Sequence, residues 1–180
     1  MNEEQYGTMQ AGGGARGGRR WHRLAIGAAV VVVAAIAWTL LRPSNSKVGV
    51  TLSIAPPAAP VQTGSEFTLD VLLDPKGYSP TAADLVITWD PKALEVVSIQ
   101  PGELMPTELA KGALAEGTAT ITVASGTMPV TGGGTIARIT FRAMKTGTSQ
   151  VSLADGTQAA AAGYPGDVVG KLVAASVTVQ

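Results

Sequence analysis

The sequence contains no cysteine. Disulfides, thiol nucleophiles and thiolate metal sites are therefore excluded. Histidine occurs once, as His22, so the rest of the chain has no base for a Ser-His-Asp type of triad. Aromatic residues make up only 4% of the chain, a poor supply for a flat sugar-binding platform built from several exposed rings. No acidic run of the DxDxDG kind occurs, so no dedicated calcium loop is expected. The glycine run TGGGT at residues 131–135 lacks the Lys-Ser/Thr of a phosphate-binding loop, and no helix follows it. It is expected to be a hairpin connection.

Strong net charge is also missing. The total is zero, and residues 43–180 hold eight Lys and Arg against eleven Asp and Glu. That balance argues against a nucleic acid partner. Asp70, Asp74, Asp84 and Asp90 lie near one another in sequence, but nothing singles out the pair that a glycosidase needs. The chain reads as a non-enzyme that requires no cofactor.

What the sequence does possess is a long uncharged apolar run, LAIGAAVVVVAAIAWTLL, at residues 24–41. At the helical rise it spans about 27 Å, enough to cross the hydrocarbon of a bilayer once. Trp21 and Trp38 stand near its two ends, where indole rings favour the headgroup boundary. Arg16, Arg19, Arg20 and Arg23 precede it, whereas only Arg42 and Lys47 follow closely, so the positive-inside bias keeps the N-terminus cytoplasmic. A cleaved secretory leader is the competing reading, with Ala35-Ile36-Ala37 as the small-residue site. Continuation of the run through Trp38 favours an uncleaved anchor. The expected organisation is a flexible cytoplasmic tail over residues 1–23, a transmembrane α-helix over 24–41, a polar tether RPSNSK over 42–47 and an extracellular domain over 48–180. The location expected is the cell membrane, crossed once.

Beyond the tether the apolar period becomes two, the mark of strands with one buried face. Val48, Val50, Leu52 and Ile54 alternate, as do Phe67, Leu69, Val71 and Leu73, and then Leu85, Ile87 and Trp89. Further strands are expected over 94–99, 118–125, 135–143, 150–153 and 171–179, with a weaker candidate at 158–162 for which short helix is the alternative. Only residues 106–114, PTELAKGAL, offer room for a helical turn or two. Asp74-Pro75-Lys76-Gly77 and Asp90-Pro91 are turn sequences; at Pro101-Gly102 the glycine is expected to supply a positive φ. Many short strands separated by turns predict an all-β fold: about nine strands in two packed antiparallel sheets. Trp89 shares parity with Leu85 and Ile87 and belongs to the expected core.

Residues 82–104, AADLVITWDPKALEVVSIQPGEL, resemble the cohesin domains of cellulosome scaffolding proteins, in which a strand runs into an aromatic-Asp-Pro turn and a hydrophobic strand ends in Pro-Gly. The segments VQTGSEFTLDVLL at 61–73, GTIARITFRAMKTG at 134–147 and the closing strand at 176–179 resemble further cohesin segments in the same order. The likeness covers about residues 48–180. It implies a jelly-roll sandwich, related in fold to carbohydrate-binding modules and through them to polysaccharide breakdown, that docks a dockerin-bearing or other secreted protein; any calcium would belong to the dockerin.

In cohesins an Asn and, two residues later, an Asp on the strand entering the aromatic-Asp-Pro turn contact the partner. Aligned on Trp89-Asp90-Pro91, the acidic position is Asp84, whereas Ala82 stands where the Asn would be. Half of the polar pair is missing. The plain alternative for Asp84 is a solvated residue on a strand's outer face. Tyr78 and Tyr164 lie in the loops GYSP and GYPG, where a ring can meet a partner, stack on sugar or pack on its own domain. The sequence thus leaves three functions open: a membrane-anchored cohesin-like docking module, a carbohydrate-binding module, and a structural subunit of an envelope assembly.

Overall fold

The computed structural model describes residues 49–180, so the expected tail, membrane helix and tether lie outside the described residues. Eleven strands follow in order: β1 Val50–Ile54, β2 Glu66–Asp74, β3 Pro80–Trp89, β4 Leu94–Pro101, β5 Thr107–Ala115, β6 Thr118–Ala124, β7 Gly134–Ala143, β8 Gly147–Leu153, β9 Gln158–Ala161, β10 Val169–Val173 and β11 Ala175–Val179. They form two sheets, ordered β10-β1-β2-β7-β4 and β11-β8-β3-β6-β5, and β9 also pairs with β3 in the second sheet.

Alternation places the core between the layers. Leu52, Leu69, Val71, Leu73, Ile139 and Phe141 from the first sheet meet Leu85, Ile87, Ile121, Val123, Val151 and Val177 from the second, all buried. Removing that apolar area from water is the main stabilising term. Trp89 is also core: its Nε1–H donates to Leu94 O at 2.9 Å, and its ring meets Phe141 edge-on at 5.0 Å. Phe67 is half-buried and stacks on Phe141 at 5.9 Å. At the Asp90-Pro91 turn the Asp90 carboxylate accepts Lys92 N–H at 2.9 Å.

The sandwich differs from expectation in five places. Residues 106–114 are no helix: Thr107–Ala115 pairs with β6 as an edge strand. Nearly every side chain there is exposed, so a helix would have had no apolar stripe to bury, and backbone pairing decides the outcome. The last expected strand is two, because β10 pairs with β1 in the first sheet while β11 pairs with β8 in the second. These two changes raise the count from about nine to eleven. The sheets are not wholly antiparallel either, since β1 and β10 run parallel. Residues 131–135 are no hairpin: 131–133 lie in the connection from β6 in one sheet to β7 in the other, and 134 and 135 open β7. Finally, Gly102 has no positive φ. A Cβ there would sit 2.5 Å from Thr135 O, so the glycine serves a close backbone approach.

Candidate functional site

The outer faces of the two sheets differ in chemistry. On the first, β7 lies between β2 and β4, and register sets Arg142 between Glu66 and Glu95, and Arg138 between Asp70 and Gln100. Arg142 bridges Glu66 at 2.7 Å and Glu95 at 3.4 Å, while Arg138 bridges Asp70 at 3.1 Å and Glu103 at 2.9 Å. Hydrogen bonds to Glu103 and then Asp70 raise the Arg138 pKa, and the bond to Glu66 raises that of Arg142. These two arginines and four carboxylates are matched within the face.

The second sheet's outer face carries almost no charge. Its rows run Gln158, Asp84, Thr122, Ala110; then Ala160, Ala82, Ala124, Thr107; then Val86, Thr120, Ala113; and Ser152, Thr88, Thr118, Ala115. Asp84 is the single charged residue in those rows. It is exposed, and its Oδ1 accepts Thr122 Oγ1–H at 3.1 Å. Ala82 leaves the neighbouring row without a polar side chain at that point.

The two sequence-selected tyrosines meet each other, and Tyr164 reaches the depression beside Asp84. Tyr78 lies in the loop after β2 and packs partly on the core, and Tyr164 lies in the loop between β9 and β10, 53% exposed. Their rings sit 4.7 Å apart, tilted by 55°. Ala162 N–H donates to Ser79 O at 2.9 Å, tying the two loops together. Gly163 and Gly166, both at positive φ, turn the chain on either side of Tyr164. Asp167 fixes the loop's return, because its Oδ1 accepts the N–H groups of Ala159 and Val169 at 3.0 Å each. Asp84 and Tyr164 then line one open depression of about 320 Å³, with Thr122, Gln158 and Ala160 among its walls.

Sequence reasoning did not select Thr122, Gln158 or Asp167. Thr122 was readable as outward-facing from its parity opposite Ile121 and Val123, but its partnership with Asp84 needs the strand register. Gln158 and Asp167 carried no such signal. Among the described residues no group of three or more His, Cys, Asp or Glu is placed to hold a metal ion.

Two layers of short strands, one outer face saturated with ion pairs and the other nearly uncharged, define a β-sandwich module with a single distinctive open face. The chain belongs to the cohesin domain family, whose profile matches residues 50–179. This family is a non-catalytic protein-binding module. Several solved structures share the fold. A cohesin module from a family 33 glycoside hydrolase of Clostridium perfringens superposes with a TM-score of 0.64 at 14% identity, over 74% of this chain and 98% of that one. The sixth cohesin of scaffoldin B from Acetivibrio cellulolyticus, solved with a mutant Cel5 dockerin, gives 0.61 at 18% identity, over 73% and 99%. A non-cellulosomal cohesin of the archaeon Archaeoglobus fulgidus gives 0.58 at 14% identity, over 73% of this chain and 91% of that one. No curated protein sequence matches the chain.

Proposed function

We propose that this chain is a docking module whose cohesin domain receives a dockerin on the outer face of the β3 sheet, around Asp84. Residues 24–41 hold it to the cell membrane as a single span, with the N-terminus cytoplasmic and the domain outside. The observation that carries the docking face is the contrast between the two sheets. One has the arginines and carboxylates around its central strands paired internally, whereas the other offers a field of Thr, Ala and Ser around one carboxylate. Desolvating such a face costs little, and one charge within it can select a partner. Cohesins of similar fold solved with dockerins support the class of partner.

Catalysis forms no part of this reading, and polysaccharide breakdown enters only through the enzyme that a dockerin would bring. Direct attachment to polysaccharide is less well supported. The Tyr78 and Tyr164 rings are tilted by 55° and so form no coplanar platform. A structural role in an envelope assembly is what remains if no dockerin is held.

The test is capture of the dockerin modules encoded in the same genome by the full-length chain in non-ionic detergent, with calcium and with a chelator. At least one dockerin retained with calcium and released without it is the expected result. No dockerin retained from the entire genome would overturn the reading.

A further inference from the structure

Resting on that docking face, we propose that the depression between Asp84 and Tyr164 receives one cationic side chain, Lys or Arg, of the docked protein. Four observations converge there. First, Asp84 differs from the acidic residues of the opposite face. Glu66, Asp70, Glu95 and Glu103 all have an arginine, and no Lys or Arg of the described residues lies within ion-pair distance of Asp84. Second, the hydrogen bond from Thr122 holds the carboxylate in place while occupying only part of its capacity. An ionised carboxylate accepts through about four lone-pair sites.

Third, the Tyr164 ring is exposed at the same depression and braced by Tyr78 at 4.7 Å. Ring faces attract cations, and the same ring can pack along an aliphatic stem. Fourth, Ala82 and Ala160 keep the walls low, so a long side chain can lie in a space of about 320 Å³. The donor balance also favours a cation over a sugar. The charged groups lining the depression, Asp84 and the loop-bracing Asp167, only accept, and Lys and Arg only donate, whereas sugar hydroxyls must also be satisfied as acceptors.

The test uses the full-length chain in detergent micelles, observed by amide NMR while blocked arginine (N-acetyl-arginine methylamide) is added. Its neutral isostere, N-acetyl-citrulline methylamide, and cellohexaose are the controls. Blocked arginine should shift the amides of Asp84, Gln158 and Tyr164 at millimolar concentration, and blocked citrulline should not. Asp84→Asn should weaken the arginine response about fivefold, the scale of one exposed ion pair, and Tyr164→Leu about twofold to threefold. Equal shifts from citrulline, shifts from cellohexaose alone, or no localised shift at all would each overturn the cation assignment. That failure is separable from failure of the docking proposal. Dockerins retained with unchanged affinity by Asp84→Asn would overturn the cation pocket alone, and a localised arginine response without dockerin capture would overturn only the docking partner.

Discussion

Ser149 Oγ is buried in β8 without a hydrogen-bond partner among the described residues. A desolvated hydroxyl left unpaired costs about 1 to 3 kcal/mol. Ser149→Ala should therefore raise stability by about 1 kcal/mol, read as a higher midpoint in chemical denaturation; an unchanged or lower midpoint would mean that the hydroxyl is satisfied in solution. Gly102 works in the other direction. A Cβ 2.5 Å from Thr135 O forces backbone apart rather than a flexible side chain, so Gly102→Ala should destabilise by about 2 kcal/mol or more in the same assay. At Asp74, the side-chain contact with Lys76 at 2.6 Å, followed by the Lys76 backbone N–H, lowers the carboxyl pKa from its ordinary 3.8. The folded pKa is the depressed one, so whatever stability the pair contributes is present above 3.8 and is lost as the pH falls through the lowered value. Lys76→Ala should return the Asp74 titration toward 3.8, observable by carboxyl NMR. How far single residues were legible depended on what they needed. Trp89 was readable as core because parity with Leu85 and Ile87 is a local signal. The conformation of Gly102 was not, because close approach by β7 is a tertiary fact.

At the scale of elements, β3 is the organising strand of the candidate site. Its Pro80–Asp84 half pairs with β9 and its Ile87–Trp89 half with β8, on one edge. Thr157 bridges the gap: its Oγ1 accepts Val86 N–H at 3.1 Å and donates to Val86 O at 3.2 Å. Thr157→Val keeps the shape but strands the Val86 amide, so it should cost about 1 to 3 kcal/mol and speed hydrogen exchange at Val86. Unaltered exchange there would show that the bridge does not close the gap. Strands with one buried face were legible because alternation reports burial, as in Leu69, Val71 and Leu73. Alternation is silent where nothing is buried, which is why β5, exposed almost throughout, did not read as a strand. The division between β10 and β11 was hidden for another reason. Residues 171–179 contain no Gly or Pro to mark a break, and only the change of inward position from Leu172 to Ala175 marks the crossing between sheets.

For the whole molecule, the two-layer all-β architecture was readable from strand periodicity and turn chemistry, and the cohesin family from four ordered segments. Assembly of the candidate site was less readable. Asp84, Tyr78 and Tyr164 were each visible singly, but the convergence of the loops GYSP and GYPG depends on β9 lying beside β3. Partner choice then belongs to the completed surface. Asp84→Ala should weaken a bound dockerin by about 1 to 3 kcal/mol while leaving the denaturation midpoint nearly unchanged, because Asp84 is exposed and contributes no core packing. Arg138→Ala, on the charged sheet, should leave affinity as it is. The most direct measurement is hydrogen–deuterium exchange of the full-length chain with and without a captured dockerin. Slowed exchange confined to β3, β6, β9 and the Tyr164 loop is the predicted footprint, whereas protection centred on β2, β7 and β4 would contradict the assignment of the docking face.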